Sequence, residues 1–112
     1  MTNENFSMVR GDTFAFELVL SEVADESITS IYFTAKKKAT DEEFIFQKGL
    51  GDGVTKIEEN HYYVRVAPED TYDVVAGKYY YDLQLGIEND IYTLLLGNLR
   101  IIQDVTVMTY ES

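Results

Sequence analysis

Residues 13–20, TFAFELVL, alternate along the chain: Phe14, Phe16, Leu18 and Leu20 fall on one side, and Ala15, Glu17 and Val19 on the other. A period of two puts successive side chains on opposite faces of an extended backbone, so the segment predicts a half-buried β-strand. The short stretch Phe6 to Val9 before it predicts an edge strand. The same period recurs downstream. ITSIYFTAKKK sets Ile31, Phe33 and Ala35 against Tyr32, Thr34 and Lys36, and NHYYVRV sets Tyr62, Val64 and Val66 against Tyr63 and Arg65. KYYYDLQL sends Tyr79, Tyr81, Leu83 and Leu85 one way and Tyr80, Asp82 and Gln84 the other. Each run is rich in β-branched and aromatic residues, which fit a pleated surface.

The breaks between these runs are polar. SEVADES, residues 21–27, predicts a loop; ATDEE turns the chain into FIFQK, and GLGDG turns it into VTKIEE, both breaks being short enough for hairpin loops. Pro68, acidic residues after it and a closing Gly77 predict a short helical turn near residues 68–73. A turn at Glu88 to Asp90, a strand over 91–96 and a last strand from about 98 to 107, beyond a Gly97-Asn98 break, complete the pattern. Seven or eight short strands with turn signals roughly every 8 to 12 residues predict an all-β fold, an antiparallel β-sandwich or barrel. In a sandwich the Phe, Tyr and Leu sets meet in one aromatic-rich core.

Composition narrows this picture. A chain of 112 residues is long enough for one core and too short for two, so residues 1–112 read as a single domain, with flexible ends at 1–5 and 108–112. With 46% hydrophobic residues spread along its length, the chain folds. Nine basic against 20 acidic residues give a formal charge of -11, which repels nucleic acid and anionic lipid and suits a basic partner surface. No cysteine is present, so stability rests on packing. The N-terminal residues lack the basic start and apolar stretch of a signal peptide, which predicts synthesis in the cytoplasm without export.

Catalytic constellations lack parts. One His, no Cys and no phosphate loop leave Ser-His-Asp, Cys-His and zinc sites incomplete. His61, in ENHYY, reads as a partly exposed turn residue. The acidic clusters Asp41-Glu42-Glu43, Glu58-Glu59 and Glu69-Asp70 with Asp73 read as solvated loops; calcium would need several oxygen ligands, and GLGDG supplies only Asp52. No cofactor is implied and no enzyme is expected. Tyrosine is the unusual feature, with nine copies, of which alternation can bury only about half. Tyr32, Tyr63 and Tyr80, with Arg65, are expected on outer faces, where Tyr and Arg make interface hot spots and Tyr also lines sugar-binding surfaces. Arg10-Gly11-Asp12, a receptor-binding tripeptide in some extracellular proteins, directly precedes the first strong strand and reads as a turn leading into it.

Taken in order, RGDTFAFELVL, ITSIYFTAKKK, APEDTYDVVAGKYYYDLQL and TLLLGNLRIIQDVT resemble the immunoglobulin-like N-terminal domain of tailed-phage baseplate upper proteins and related small prophage tail proteins. The matching positions are Gly11, Asp12 and Thr13; Pro68 and Thr71; Gly77, Tyr79, Tyr81 and Asp82; and Gly97, Leu99, Asp104, Val105 and Thr106. SEVADESITS departs from the family pattern, and the carrier role, which in baseplate upper proteins belongs to segments after the domain, is not expected to transfer in full. The resemblance implies an immunoglobulin-like sandwich and a non-enzymatic virion or prophage structural protein that docks on other phage structural proteins, with homo-oligomers open and no nucleic-acid or membrane partner. The alternative is a carbohydrate-binding, host-adhesion module that stacks tyrosines on glycans, assisted or not by calcium. A hydrolase with paired carboxylates is a third reading.

Overall fold

The alternation in sequence decides which side of each strand is buried, and the turn residues decide how the strands meet. The computed structural model describes residues 2–105 apart from Glu22. Nine strands follow one another: β1 (Thr2–Asn3), β2 (Phe6–Val9), β3 (Phe14–Val19), β4 (Ile28–Lys36), β5 (Phe46–Leu50), β6 (Gly53–Glu58), β7 (His61–Val66), β8 (Gly77–Ile87) and β9 (Asp90–Ile102). Two short 3-10 turns, Asp25–Ser27 and Pro68–Asp70, are the helical elements among the described residues.

The strand order is β1-β9-β8-β4-β5-β6-β7-β3, with β2 also on β9. Side chains from one end of this path meet those from its middle: the rings of Phe16 on β3 and Phe33 on β4 lie edge to face, with centroids 5.3 Å apart. The path is therefore folded on itself as a sandwich, one layer β3-β7-β6 and the other β5-β4-β8-β9 with β1 and β2 at its edge. Immunoglobulin domains of the variable type place strands B, E and D in one sheet and G, F, C and C′ in the other. Here β3, β7 and β6 stand in the first set and β9, β8, β4 and β5 in the second, in the same neighbour order, so the fold is an immunoglobulin-like β-sandwich.

Cysteine is absent, and a ring cluster stands between the sheets. Phe33 packs on Phe16, Tyr81 and Phe46 with centroids 5.3, 5.5 and 5.7 Å away, and Phe6 lies 5.0 Å from Tyr81 and 5.7 Å from Phe16. Such pairs contribute about 0.5–1.5 kcal/mol each beyond the apolar area they bury. Ile31, Leu83, Leu85, Val64, Leu99 and Ile101 fill the space around them. The corner between β7 and β8 is held by a second tyrosine. Tyr79, near the start of β8, donates its hydroxyl hydrogen to the Val75 carbonyl four residues upstream, the tyrosine corner seen in this class of sandwich.

Several expectations change. The strands expected over 91–96 and 98–107 are one strand, Asp90–Ile102, which Gly97 does not break; residues 106 and 107 of that expectation lie outside the described residues. Gly97 is there because the chain crosses over it: an added Cβ would lie 1.9 Å from the Glu4 carbonyl oxygen. The irregularity sits earlier, between Leu83 and Gln84 of β8, where Leu94 is the extra residue on β9. GLGDG is not a hairpin loop, since β5 and β6 meet only through a two-residue parallel bridge, Gly49 with Gly53 and Leu50 with Val54. The chain passes there from one sheet to the other. Pairing is also not wholly antiparallel, because β1 and β2 run parallel to β9. Thr2–Asn3, in the lead-in expected to be flexible, pairs with Leu95 and Leu96. The flexible end expected at 108–112 lies outside the described residues.

Arg10-Gly11-Asp12 forms the turn between β2 and β3. The Asp12 amide donates to the Val9 carbonyl at 3.1 Å, and Gly11 takes the left-handed φ of 80° that the turn requires. Arg10 pairs with Asp104, Nε to Oδ1 3.0 Å, so its guanidinium is tied to the segment after β9.

Candidate functional site

Register across the larger sheet lines up its outer face in rows. Gly49, Tyr32, Gln84 and Thr93 form one; Gln47, Thr34, Asp82 and Leu96 the next; Lys36, Tyr80 and Asn98 a third; Lys78, Arg100 and Ser7 a fourth. Their neighbours along each strand, Ile31, Phe33, Tyr79, Tyr81 and Leu83, are the buried core, which is why these side chains point outward.

Tyr32 and Tyr80 are 43% and 36% exposed, and Phe44 and Leu96 on the same side are 50% and 42% exposed. The Tyr32 ring lies across Gly49, where an added Cβ would come within 2.9 Å of it. Between Tyr32 and Phe44 runs a groove of about 300 Å³, floored by Thr34, Gln47, Asp82 and Gln84. Gln47 donates from Nε2 to the Thr34 hydroxyl at 3.0 Å. The loop after β4 folds back over the far side of the face, held by Lys36, whose Nζ donates to the Asp41 carbonyl at 2.7 Å. Under it, a pocket of about 80 Å³ is lined by Thr34, Lys36, Ala39, Tyr80, Asp82 and Leu96. Burial there pushes the Asp82 carboxyl above its ordinary value, and the Lys36 ammonium partly opposes that rise.

The four residues expected at an interface do not share one surface. Tyr32 and Tyr80 stand on this face, whereas Tyr63 and Arg65 belong to β7, on the outer side of the other sheet. Arg65 is exposed there, and Tyr63 is half-buried between its cross-strand neighbours Glu17 and Thr55. The outer faces of a sandwich point in opposite directions, so one flat partner meets one pair or the other.

His61 opens β7 with carboxylates on both sides, Glu17 at 3.3 Å from Nε2 and Glu58 at 3.5 Å from Nδ1. Both carboxylates are largely in solvent, at 61% and 75% side-chain exposure. The imidazole lies in the smaller sheet, away from the groove. Among the described residues no three His, Asp or Glu side chains come together as a cation site, and no helix is long and apolar enough to cross a membrane.

Phe44, Lys78 and Arg100 are the members of this face that alternation alone does not single out. Phe44 sits in a loop, and the pairing of Lys78 with Arg100 depends on a register that no local signal encodes.

No family model matches the chain, and no curated protein matches it. Among solved structures, a candidate glycoside hydrolase from Bacteroides vulgatus aligns over 82% of this chain and 16% of its own, with 16% identity and a TM-score of 0.41. The chain thus spans about a sixth of that protein's length. The extracellular domain of the voltage-gated sodium channel β4 subunit, described as a parallel homodimer in cell-cell adhesion, aligns over 94% of this chain and 95% of its own, with 10% identity and a TM-score of 0.44. Similarity at this level carries nothing about function, and the fold stands on its own strand order.

Proposed function

We propose that the protein is a non-enzymatic structural domain of a phage or prophage tail, a baseplate-type component of the virion that docks on other virion proteins. The docking surface is the outer face of the β5-β4-β8-β9 sheet. The observation that carries this is the group of Tyr32, Tyr80 and Leu96 on the sheet face with Phe44 on the loop beside it, large apolar side chains left 36–50% exposed on one side of the domain. Rings with few rotatable bonds supply contact area at small entropic cost, which is why Tyr dominates interface hot spots. The phage part of the reading is supported by the ordered resemblance of the four segments. Tyr63 and Arg65, on the opposite side, are outside the proposed contact.

The double substitution Tyr32→Ser with Tyr80→Ser tests it. Both side chains are at the surface, so the variant keeps its fold. In complementation of a phage lacking the wild-type protein, incorporation into tail particles drops roughly tenfold or more, as loss of a hot-spot pair implies. Incorporation at the wild-type level would discard this face as the contact.

A second reading, a carbohydrate-binding module, is favoured by the groove itself, because Tyr32 and Phe44 flank amide, hydroxyl and carboxylate groups at Gln47, Gln84, Thr34 and Asp82. Apolar rings beside planar hydrogen-bonding groups suit a sugar. Glycan-array binding that is lost in Tyr32→Ser selects this reading, and repeating the array with a chelator shows whether calcium assists it.

A further inference from the structure

Lys78 on β8 and Arg100 on β9 are directly opposite each other in antiparallel register. Residues so placed have Cβ atoms about 4.5–5.5 Å apart, and like charges there destabilise a sheet. In a chain with nine basic and 20 acidic residues, an unfavourable pairing of two scarce cations needs a counter-charge. The described residues provide none. Neither Lys78 nor Arg100 has an acidic side chain within ion-pair distance: Arg10 is joined to Asp104 and Lys48 to Asp70, but these two remain without a carboxylate. Asp82 is four residues further along β8, roughly 13 Å away, and faces Lys36. Among the described residues, Lys78 has the Tyr80 ring beside it, 5.5 Å from its Nζ.

The two cations also share a groove. A space of about 470 Å³ is bounded by Asn5, Phe6, Ser7, Lys78, Asn98 and Arg100. Ser7 is the β2 neighbour of Arg100, so a hydroxyl, a guanidinium and an ammonium lie in one row across three strands. Asn5 accepts a hydrogen bond from the Asn98 amide at its Oδ1, 3.0 Å, which leaves its Nδ2 hydrogens as donors. The polar groups around the groove are thus donor-rich and carry no negative charge. A carboxylate offers two oxygens; this arrangement offers donors from an arginine, a lysine, a serine and an amide, which match the three or four oxygens of a tetrahedral oxyanion.

We infer that the groove between Lys78, Arg100 and Ser7 is a binding site for a sulfate- or phosphate-type oxyanion, either free or carried as an ester on a larger molecule. It is separate from the Tyr32 groove and does not depend on the docking reading. Lys78 and Arg100 neutralise the oxyanion, the arginine fork contacting two oxygens, while Ser7 and Asn5 donate to the remainder. Binding relieves the repulsion between the two cations, so the occupied protein is the more stable one.

Amide shifts of the full chain in a nitrogen-proton correlation spectrum, titrated with sodium sulfate against sodium chloride at equal ionic strength, test this. The expected result is a saturable sulfate-specific shift concentrated at Ser7, Lys78, Asn98 and Arg100, and its loss in the Lys78→Gln, Arg100→Gln double variant, whose dispersed spectrum shows that it still folds. Shifts that are equal at Lys36 to Lys38 and Lys56, that fail to saturate, or that survive in the double variant would overturn the site, as would acetate binding as tightly as sulfate. A sulfated monosaccharide compared with inorganic sulfate separates the sources: tighter binding of the ester assigns the site to a carried group, and equal binding to the free ion.

Discussion

The Gly11 amide donates to the Thr71 hydroxyl at 2.9 Å, joining the β2-β3 turn to the β7-β8 corner across sixty residues of chain. Thr71 has no exposed surface and is the buried polar residue of the described chain. Its hydroxyl is therefore placed for this contact, and Thr71→Val removes the acceptor without changing the volume. Leaving a buried donor without that acceptor costs about 1–3 kcal/mol. Urea denaturation is expected to show that loss in Thr71→Val and a smaller one in Thr71→Ser, which keeps the oxygen.

Phe33 is the ring on which the two sheets converge, fully buried against Phe16, Phe46 and Tyr81. Truncation opens a cavity that these neighbours, on the three strands β3, β5 and β8, cannot all collapse into. Phe33→Ala is expected to destabilise by about 3–5 kcal/mol, a large share of the stability of a domain this size. Phe33→Leu, which retains most of the volume, loses less. Thermal unfolding followed by near-ultraviolet circular dichroism reads both.

Alkaline pH acts through Tyr81. Burial, and secondarily the nearby Glu4 carboxylate, push its phenol from 10.0 to about 12. Between these values the unfolded chain has released the proton while the folded chain keeps it, so stability falls as pH rises through that interval. Tyr81→Phe is expected to flatten this alkaline slope. At neutral pH it costs about 1 kcal/mol, because the hydroxyl no longer donates to the Glu4 carbonyl, 2.6 Å away. Stability profiles of the two proteins from neutral to strongly alkaline pH check both statements.

Asp82 acts in the opposite part of the range. Its folded value is raised above 3.8, so the folded state holds the proton more tightly than the unfolded one. Stability is then greatest below the unfolded value and declines as pH rises through the folded one. Asp82→Asn is expected to raise the midpoint of thermal unfolding modestly at neutral pH and to leave it unchanged in acid. Lys36→Met, which removes the opposing cation, shifts the carboxyl higher still, visible in a carboxyl-carbon titration.

The faces of β3, β4, β7 and β8 were legible from the sequence because a period of two maps directly onto in and out: Ile31, Phe33 and Ala35 are buried, and Tyr32 is exposed. Pro68 and the acids after it marked the helical turn for an equally local reason. What stayed hidden is non-local. Gly97 signals a break when read alone, and only the crossing of Glu4 above it shows that a continuous strand needs a missing Cβ there. GLGDG carries every mark of a hairpin loop, yet the two strands it joins belong to different layers. For the site, Tyr32 and Tyr80 were placed correctly outward, but alternation cannot say that β7 lies in the other sheet, so Tyr63 and Arg65 joined a surface they do not share. Lys78 and Arg100 are 22 residues apart, and only register brings them together.

Parallel pairing of β1 and β2 with β9 also fixes how the domain responds to tension. Thr2 sits beside Leu95 and Val9 beside Ile102, so a pull on the chain before Thr2 and after Ile102 draws the two strands past each other along their length. The rungs of that ladder then bear the load together instead of parting one after another. A domain wired this way resists stretching up to a threshold and then yields in a single step.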